Sequence, residues 1–443
     1  LYHEAGLRAT SDKAIGILQG RGVGGSTLHN TGLVVPPPEA IVERWRRDHG
    51  FALDGPTLER QVTAAVEMLR ARPIPAERVN RSNDLLRQGA EALGWRHIRP
   101  LHNRAECSGC GYCMLGCAYN RKFNAALTWL PEAVRAGARI LADAPVTRIE
   151  RASGDGWRVR ARLTDAHGRS TGRLAVIDAD TVVVAAGALA TPALLRHSRL
   201  GGRRVGHGLR LHPSALVTGV FPEDVAAWRG LPQSVLLDEF ASFRDDGRGG
   251  FLGIPFAMWP GLTAALLPGF GPAHREAMRD YPRFATTAVV LHDETAGRVV
   301  AARDGRPVAR YRPDRADLRT IRHGVRALAR LYLAAGAERV HLPYAGSPAV
   351  TDETALHRAL ERADERTHRL RLSSVHPQGS CPIGGTADRG VVDPLGAVYG
   401  EHALHVADTS LFPTSVGVPP QVTAMALGAA VAERIVDENG GGG

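Results

Sequence analysis

Lysine is nearly absent: of 55 basic residues only Lys13 and Lys122 are lysines, and all the others are arginine. Aromatic residues make up only 5% of the chain. A nucleic-acid surface needs clustered arginine with interleaved aromatics. Here the arginines are scattered among acids, as in Glu43-Arg44-Trp45-Arg46-Arg47-Asp48. The net charge of +10 therefore reads as a solvated surface, and no nucleic-acid partner is expected. No run of about 18 apolar residues occurs, so no transmembrane segment is expected. Leu1-Tyr2-His3-Glu4 begins neither a basic nor an apolar leader, and a cytoplasmic location is the expectation. The 50 glycines follow no G-x-y period, which excludes collagen. With 44% apolar and 23% charged residues, wholesale disorder is excluded too. At 443 residues the chain is about three domain equivalents long.

Glycine punctuation organises what is present. Ala14-Ile15-Gly16-Ile17-Leu18 reads as a strand, followed at once by Gly20-Arg21-Gly22-Val23-Gly24-Gly25-Ser26-Thr27. Such glycine density lets backbone N–H groups approach a bound group closely. Helices are predicted over 39–48, 55–72 and 82–94, the last capped by Ser82 or Asn83. Residues 125–134 read as a further helix and 138–149 as strand, turn, strand. Residues 156–163 and 174–184 form a predicted hairpin that feeds the apolar run Thr181–Ala186, which suits a strand covered on both faces. Gly187 and a helix follow, the strand–glycine–helix unit of nucleotide-binding α/β folds. Runs at 235–237, 284–291, 297–302 and 308–311 predict an antiparallel sheet, with helices over 316–336 and 352–366 outside it. A strand at 403–407 ends at Asp408, and the helix from Gln421 to Ile435 is expected to pack on a sheet.

Four of the five cysteines fall between positions 107 and 117, as Cys107-x-x-Cys110-x-x-Cys113-x-x-x-Cys117. The spacing matches a ferredoxin ligand run, so an iron–sulfur cluster is expected, with these four thiolates as metal ligands. Structural zinc and two disulfides are the competing readings. Cys381 stands outside the cluster.

Four motifs in register resemble the glucose-methanol-choline (GMC) flavoprotein oxidoreductases: Gly20–Thr27 with Asn30, the Ala185-Ala186-Gly187-Ala188 turn, His376-x-x-Gly379-Ser380-Cys381-x-x-Gly384, and Val406–Thr414. The resemblance implies an α/β GMC-type split FAD-binding domain with an antiparallel-sheet substrate domain. Its boundaries are FAD-binding parts at 1–35 and 138–212, a helical and Cys-rich connection at 36–137, a substrate-binding domain at 213–370, and an FAD-binding C-terminal part with the active-site motif at 371–443. It places FAD against Gly22, Gly24, Gly25, Ser26, Asn30, Val146, Gly187, Asp408, Phe412 and Thr414. It also implies FAD-dependent oxidation of an alcohol or sugar hydroxyl, with His376 accepting or hydrogen-bonding the hydroxyl proton. An electron-acceptor protein or a quinone would take the electrons onward, by way of the cluster if it exists.

Two departures from the family pattern stand out. The stretch ahead of Gly20 is too short for a βαβ unit carrying G-x-G-x-x-G. The fold is therefore expected to be truncated at its N-terminus, without the family's dinucleotide-binding unit. FAD affinity is then expected to be poor unless a separate chain supplies that unit. The usual active-site Asn before the last helix falls on Pro419, leaving Gln421 as the candidate catalytic partner of His376. Both departures favour the alternative reading, a non-catalytic remnant or electron-transfer subunit on the same fold.

Overall fold

The computed structural model describes residues 2–242, 247–364 and 369–440. Its largest unit is an eight-stranded sheet. Ile15–Ile17, Leu372–Ser374, Ser214–Val220, Phe284–Leu291, Phe251–Pro255, Leu236–Leu237 and His97–Ile98 are successive neighbours, and Arg339–His341 pairs with the end of Ser214–Val220. Ile15–Ile17 runs parallel to Leu372–Ser374, whereas the central strands are antiparallel. The parallel pair joins a segment near the start of the chain to one in its last fifth.

Every residue of Phe284–Leu291 and Phe251–Pro255 is buried, because both faces of these strands meet protein. Alternation along the strand divides the side chains between two cores. Ala285 and Val289 join Leu86, Val325, Leu328 and Tyr332 from the helices Arg81–Ala92 and Arg315–Ala334. Ala288 and Val290 join Ile41, Trp45 and Phe412 on the opposite face. That second face is the one on which the functional side chains collect.

Several local expectations change in the folded chain. Residues 138–145 form no strand, and Val146–Arg151 alone pairs with Trp157–Thr164. Asn80, rather than Ser82 or Asn83, caps the helix Arg81–Ala92, since its side chain accepts from the Asn83 amide. Val182–Val184 pairs parallel to Leu404–Val406, but Val183 is 45% exposed, so the strand is covered on one face only. The helix Gln421–Gly440 packs chiefly on the helix Gly55–Met68, not on a sheet. Of the helix expected over 352–366, Glu353–Glu361 is formed, and residues 365 and 366 lie outside the described residues. Among the described residues no helix is long and apolar enough to cross a membrane.

Candidate active site

A cavity of about 1200 Å³ is walled by residues 18–20, 24–27, 29–31, 185–187, 375–377 and 407–409 and by one face of the segment 419–437, together with the strand residues Leu33, Ile254, Phe256 and Val290. Its volume exceeds the roughly 300–1,000 Å³ of ordinary small-molecule pockets. Parallel pairing of Ile15–Ile17 with Leu372–Ser374 brings the glycine loop beside His376. Pairing of Val182–Val184 with Leu404–Val406 sets Gly187 beside Asp408.

The glycine loop is held from behind. Ser26 Oγ accepts from the Gly20 amide at 2.9 Å. The Lys122 ammonium, only 1% exposed, donates to the carbonyls of Thr27 and Leu28 at 2.9 and 3.1 Å and to Asn30 Oδ1 at 3.2 Å. Burial pushes the Lys122 pKa down to about 8. Asn30 Nδ2 donates to Gln421 Oε1 at 2.5 Å, which leaves Gln421 Nε2 buried without a partner. Asn30 and Gln421 thus link the loop to the start of the last helix.

The carboxylate of Asp408 is fully engaged. Its Oδ2 accepts from the Gly187 amide at 2.8 Å and from Thr191 Oγ1 at 2.5 Å, and Oδ1 accepts from the Ser410 amide at 2.7 Å. Gly187 has φ +84°, a conformation that favours glycine, and a Cβ there would displace the end of the Gln19 side chain, 2.7 Å away at Nε2. Asp408 fastens this turn against the strand Leu404–Val406.

His376 is part-exposed and lines the cavity. Its Nδ1 lies 3.2 Å from Nδ1 of His212, a fully buried side chain. Burial and then the neighbouring His212 hold His376 well below the ordinary histidine range, and burial does the same to His212. His212 Nε2 in turn receives Gln378 Nε2 at 3.0 Å and the Gly417 amide at 3.2 Å. The sequence reading missed His212 and Gln378. The signal available for Gln378 was its place inside the His376–Gly384 motif. His212 is far from that motif along the chain, and Leu211-His212-Pro213 carries no recognisable spacing.

The cavity wall includes Gly24, Gly25, Ser26, Asn30, Gly187, Asp408, His376 and Gln421, but not Gly22, Val146, Phe412 or Thr414. Val146 is 42% exposed. The Phe412 ring packs on Trp45 at 5.5 Å, and Thr414 Oγ1 accepts from Trp45 Nε1 at 2.7 Å. These two residues therefore support the wall from within the core.

The cysteine expectation is overturned. Among the described residues, no group of three or more histidine, cysteine, aspartate or glutamate side chains is placed to hold a metal ion. Cys107, Cys110, Cys113 and Cys117 all carry free thiols. Cys107 Sγ accepts from the Gly109 amide and Cys117 Sγ from the Arg121 amide. Cys113 is buried beside Arg104 and Lys122. Positive φ at Gly109, Gly111 and Gly116 winds this loop, and its thiols meet the Gly109 and Arg121 amides and, at Cys113, Arg104 and Lys122. The metal-binding and iron–sulfur assignments fall with it, as do the zinc and disulfide readings.

The residues present fit an FAD-sized group. The cavity is large enough for a dinucleotide, and a Cβ at the cavity-lining Gly25 would meet nothing within 4 Å. Two side chains of the wall keep buried polar atoms unpaired: both ring nitrogens of His29, and Gln421 Nε2. Such atoms are costly unless a ligand satisfies them.

Two family models described as GMC oxidoreductase match the chain, the N-terminal one over residues 1–214 and the C-terminal one over 294–428. An uncharacterized GMC-type oxidoreductase of Mycobacterium tuberculosis is 38% identical over 439 residues, covering 98% of this chain and 68% of that relative. A long-chain-alcohol oxidase of Arabidopsis thaliana is 27% identical over 458 residues, covering 99% of this chain and 62% of the oxidase. The fold is similar to that of a formate oxidase, with a TM-score of 0.66 and 16% identity over 95% of this chain and 85% of that one.

The match over 1–214 overturns the expectation that the chain lacks the family's N-terminal dinucleotide-binding unit. The truncated fold and the separate chain that would supply the unit fall with it. The physical reason lies in the topology. Strand segments distant in sequence pair to set the glycine loop beside His376 and Gly187 beside Asp408, so the stretch ahead of Gly20 does not by itself decide which parts of the family fold are present.

Proposed function

The chain belongs to the GMC oxidoreductase family, FAD-dependent enzymes that oxidise CH–OH donors, and from that premise we propose that it oxidises an apolar alcohol with His376 at the reacting hydroxyl. The carrying observation is the single cavity that joins the glycine loop, Gly187, Asp408 and His376. Backbone amides around Gly24 and Gly25, with Asn30, would hold the cofactor, and Asp408 would act on it indirectly by fixing the Gly187 turn. When bound, FAD supplies the hydride acceptor. His376 meets the hydroxyl and hydrogen-bonds its oxygen, while Gln421 occupies the wall nearby, tied to Asn30.

Leu33, Met114, Ile254, Phe256 and Val290 give the cavity wall a large apolar share beside the polar Ser214 and Gln233. That composition favours an aliphatic or aromatic alcohol over a sugar, which would need many paired hydroxyls. The long-chain-alcohol oxidases among the relatives agree with this choice. Five free thiols accord with the reducing conditions of a cytoplasmic location.

The test is anaerobic flavin reduction in FAD-loaded protein over a panel of primary alcohols and sugars. Long-chain or aromatic alcohols should reduce the flavin faster than glucose. His376→Ala should slow reduction by about 100-fold or more with FAD content unchanged. A rate within about twofold of wild type would remove His376 from the chemistry, and a preference for sugars would remove the substrate class.

A further inference from the structure

We infer that His212 sets the proton position on His376, so that Nε2, the ring nitrogen not turned to His212, carries the hydrogen and meets the substrate oxygen as a donor. The inference rests on the reading of His376 as the residue at the hydroxyl.

The chain of assignments begins at a backbone amide. Val416 N–H donates to Gln378 Oε1 at 3.0 Å, which orients the Gln378 amide so that its NH₂ faces the other way. That NH₂ donates to the His376 carbonyl at 3.2 Å and to His212 Nε2 at 3.0 Å. The Gly417 amide donates to the same His212 Nε2 at 3.2 Å. A nitrogen met by two N–H donors carries no hydrogen of its own.

His212 is fully buried in an environment that keeps it neutral, so its one ring hydrogen is on Nδ1. The partner of Nδ1, at 3.2 Å, is His376 Nδ1, which must then accept. The hydrogen of neutral His376 is left on Nε2. The reverse arrangement would put a hydrogen on His212 Nε2, against both the Gly417 amide and the Gln378 NH₂. His212 is thus a positioning residue that touches neither substrate nor cofactor, with Gln378 and Gly417 behind it. In the resting site His376 steadies the alcohol oxygen by donating to it.

The proton positions are read directly by long-range ¹⁵N–¹H correlation spectra of protein labelled in histidine, with signals assigned through His376→Asn and His212→Gln. The expected result is an unprotonated Nδ1 and protonated Nε2 at His376, and the opposite pattern at His212. His212→Gln offers Oε1 as an acceptor for Gly417 and Gln378 while removing the ring donor. In that variant the His376 nitrogens should shift toward a mixture of both forms, and alcohol turnover should fall at least about tenfold with FAD content kept. A hydrogen on Nδ1 of His376 in the wild type overturns the inference. An unchanged His376 pattern in His212→Gln also overturns it, since His212 would then not be what sets the proton. The spectra need no reaction, so a normal flavin reduction rate in His376→Ala would defeat the functional reading while leaving the proton assignment standing.

Discussion

Asp408→Asn measures how far the site depends on a carboxylate that acts as a structural clamp. Both oxygens accept backbone N–H groups, Gly187 on one side and Ser410 on the other, and Thr191 Oγ1 adds a third donor. Asparagine has nearly the same shape but only one acceptor oxygen. Whichever way its amide turns, an NH₂ faces one of the two backbone amides. The change removes a charge-assisted hydrogen bond of about 1.5–3 kcal/mol and leaves a donor unsatisfied at about 1–3 kcal/mol. An overall loss of about 3 kcal/mol is expected. At about 2.1 cal/mol/K of unfolding entropy per residue, a chain of 443 residues should lose about 3 °C in Tm. Because the Gly187 turn lines the cavity, bound FAD should fall as well. Differential scanning calorimetry and the flavin-to-protein absorbance ratio provide the assay. A variant that melts within about 1 °C of wild type and keeps its full FAD would refute the clamp.

Three further outcomes follow from named contacts. Gly187→Ala forces a Cβ onto a backbone with φ +84° and to 2.7 Å from Gln19 Nε2, so it should cost about 1–3 kcal/mol and lower FAD occupancy, read by denaturation and absorbance. Lys122 has its folded pKa lowered from 10.5 to about 8, so its contribution to stability is full above pH 10.5 and lost as pH falls through 8. Wild type should therefore gain up to about 3 kcal/mol relative to Lys122→Met between those pH values, and a flat difference in Tm would contradict the buried ammonium. Anaerobically purified protein should contain far less than one equivalent of iron and acid-labile sulfide, and stoichiometric amounts would contradict the thiol geometry.

Much of the framework was legible locally. The apolar run at 284–291 and the Gly187 turn follow from period and turn chemistry, which act over a few residues. The glycine loop, the His376 motif and the Asp408 strand end could be found as separate motifs, and their shared register identified the family. What misled was proximity along the chain. Four cysteines close together between Cys107 and Cys117 suggested a common ligand sphere, but among the described residues they form no metal-holding group and remain free thiols. The short stretch before Gly20 suggested a missing unit, whereas the N-terminal family model matches residues 1–214.

The amino-acid sequence by itself determined the local elements, the motifs that touch the cavity and the chemistry those side chains can offer. Tertiary structure alone decided which of them meet. His212 reaches His376 only because Ser214–Val220 pairs with Leu372–Ser374, and Asp408 reaches Gly187 only because Leu404–Val406 lies beside Val182–Val184. Hydrogen bonds and steric contacts act over a few ångströms in space, whatever the separation in sequence, so the pairing of distant strands had to be known before the site could be read.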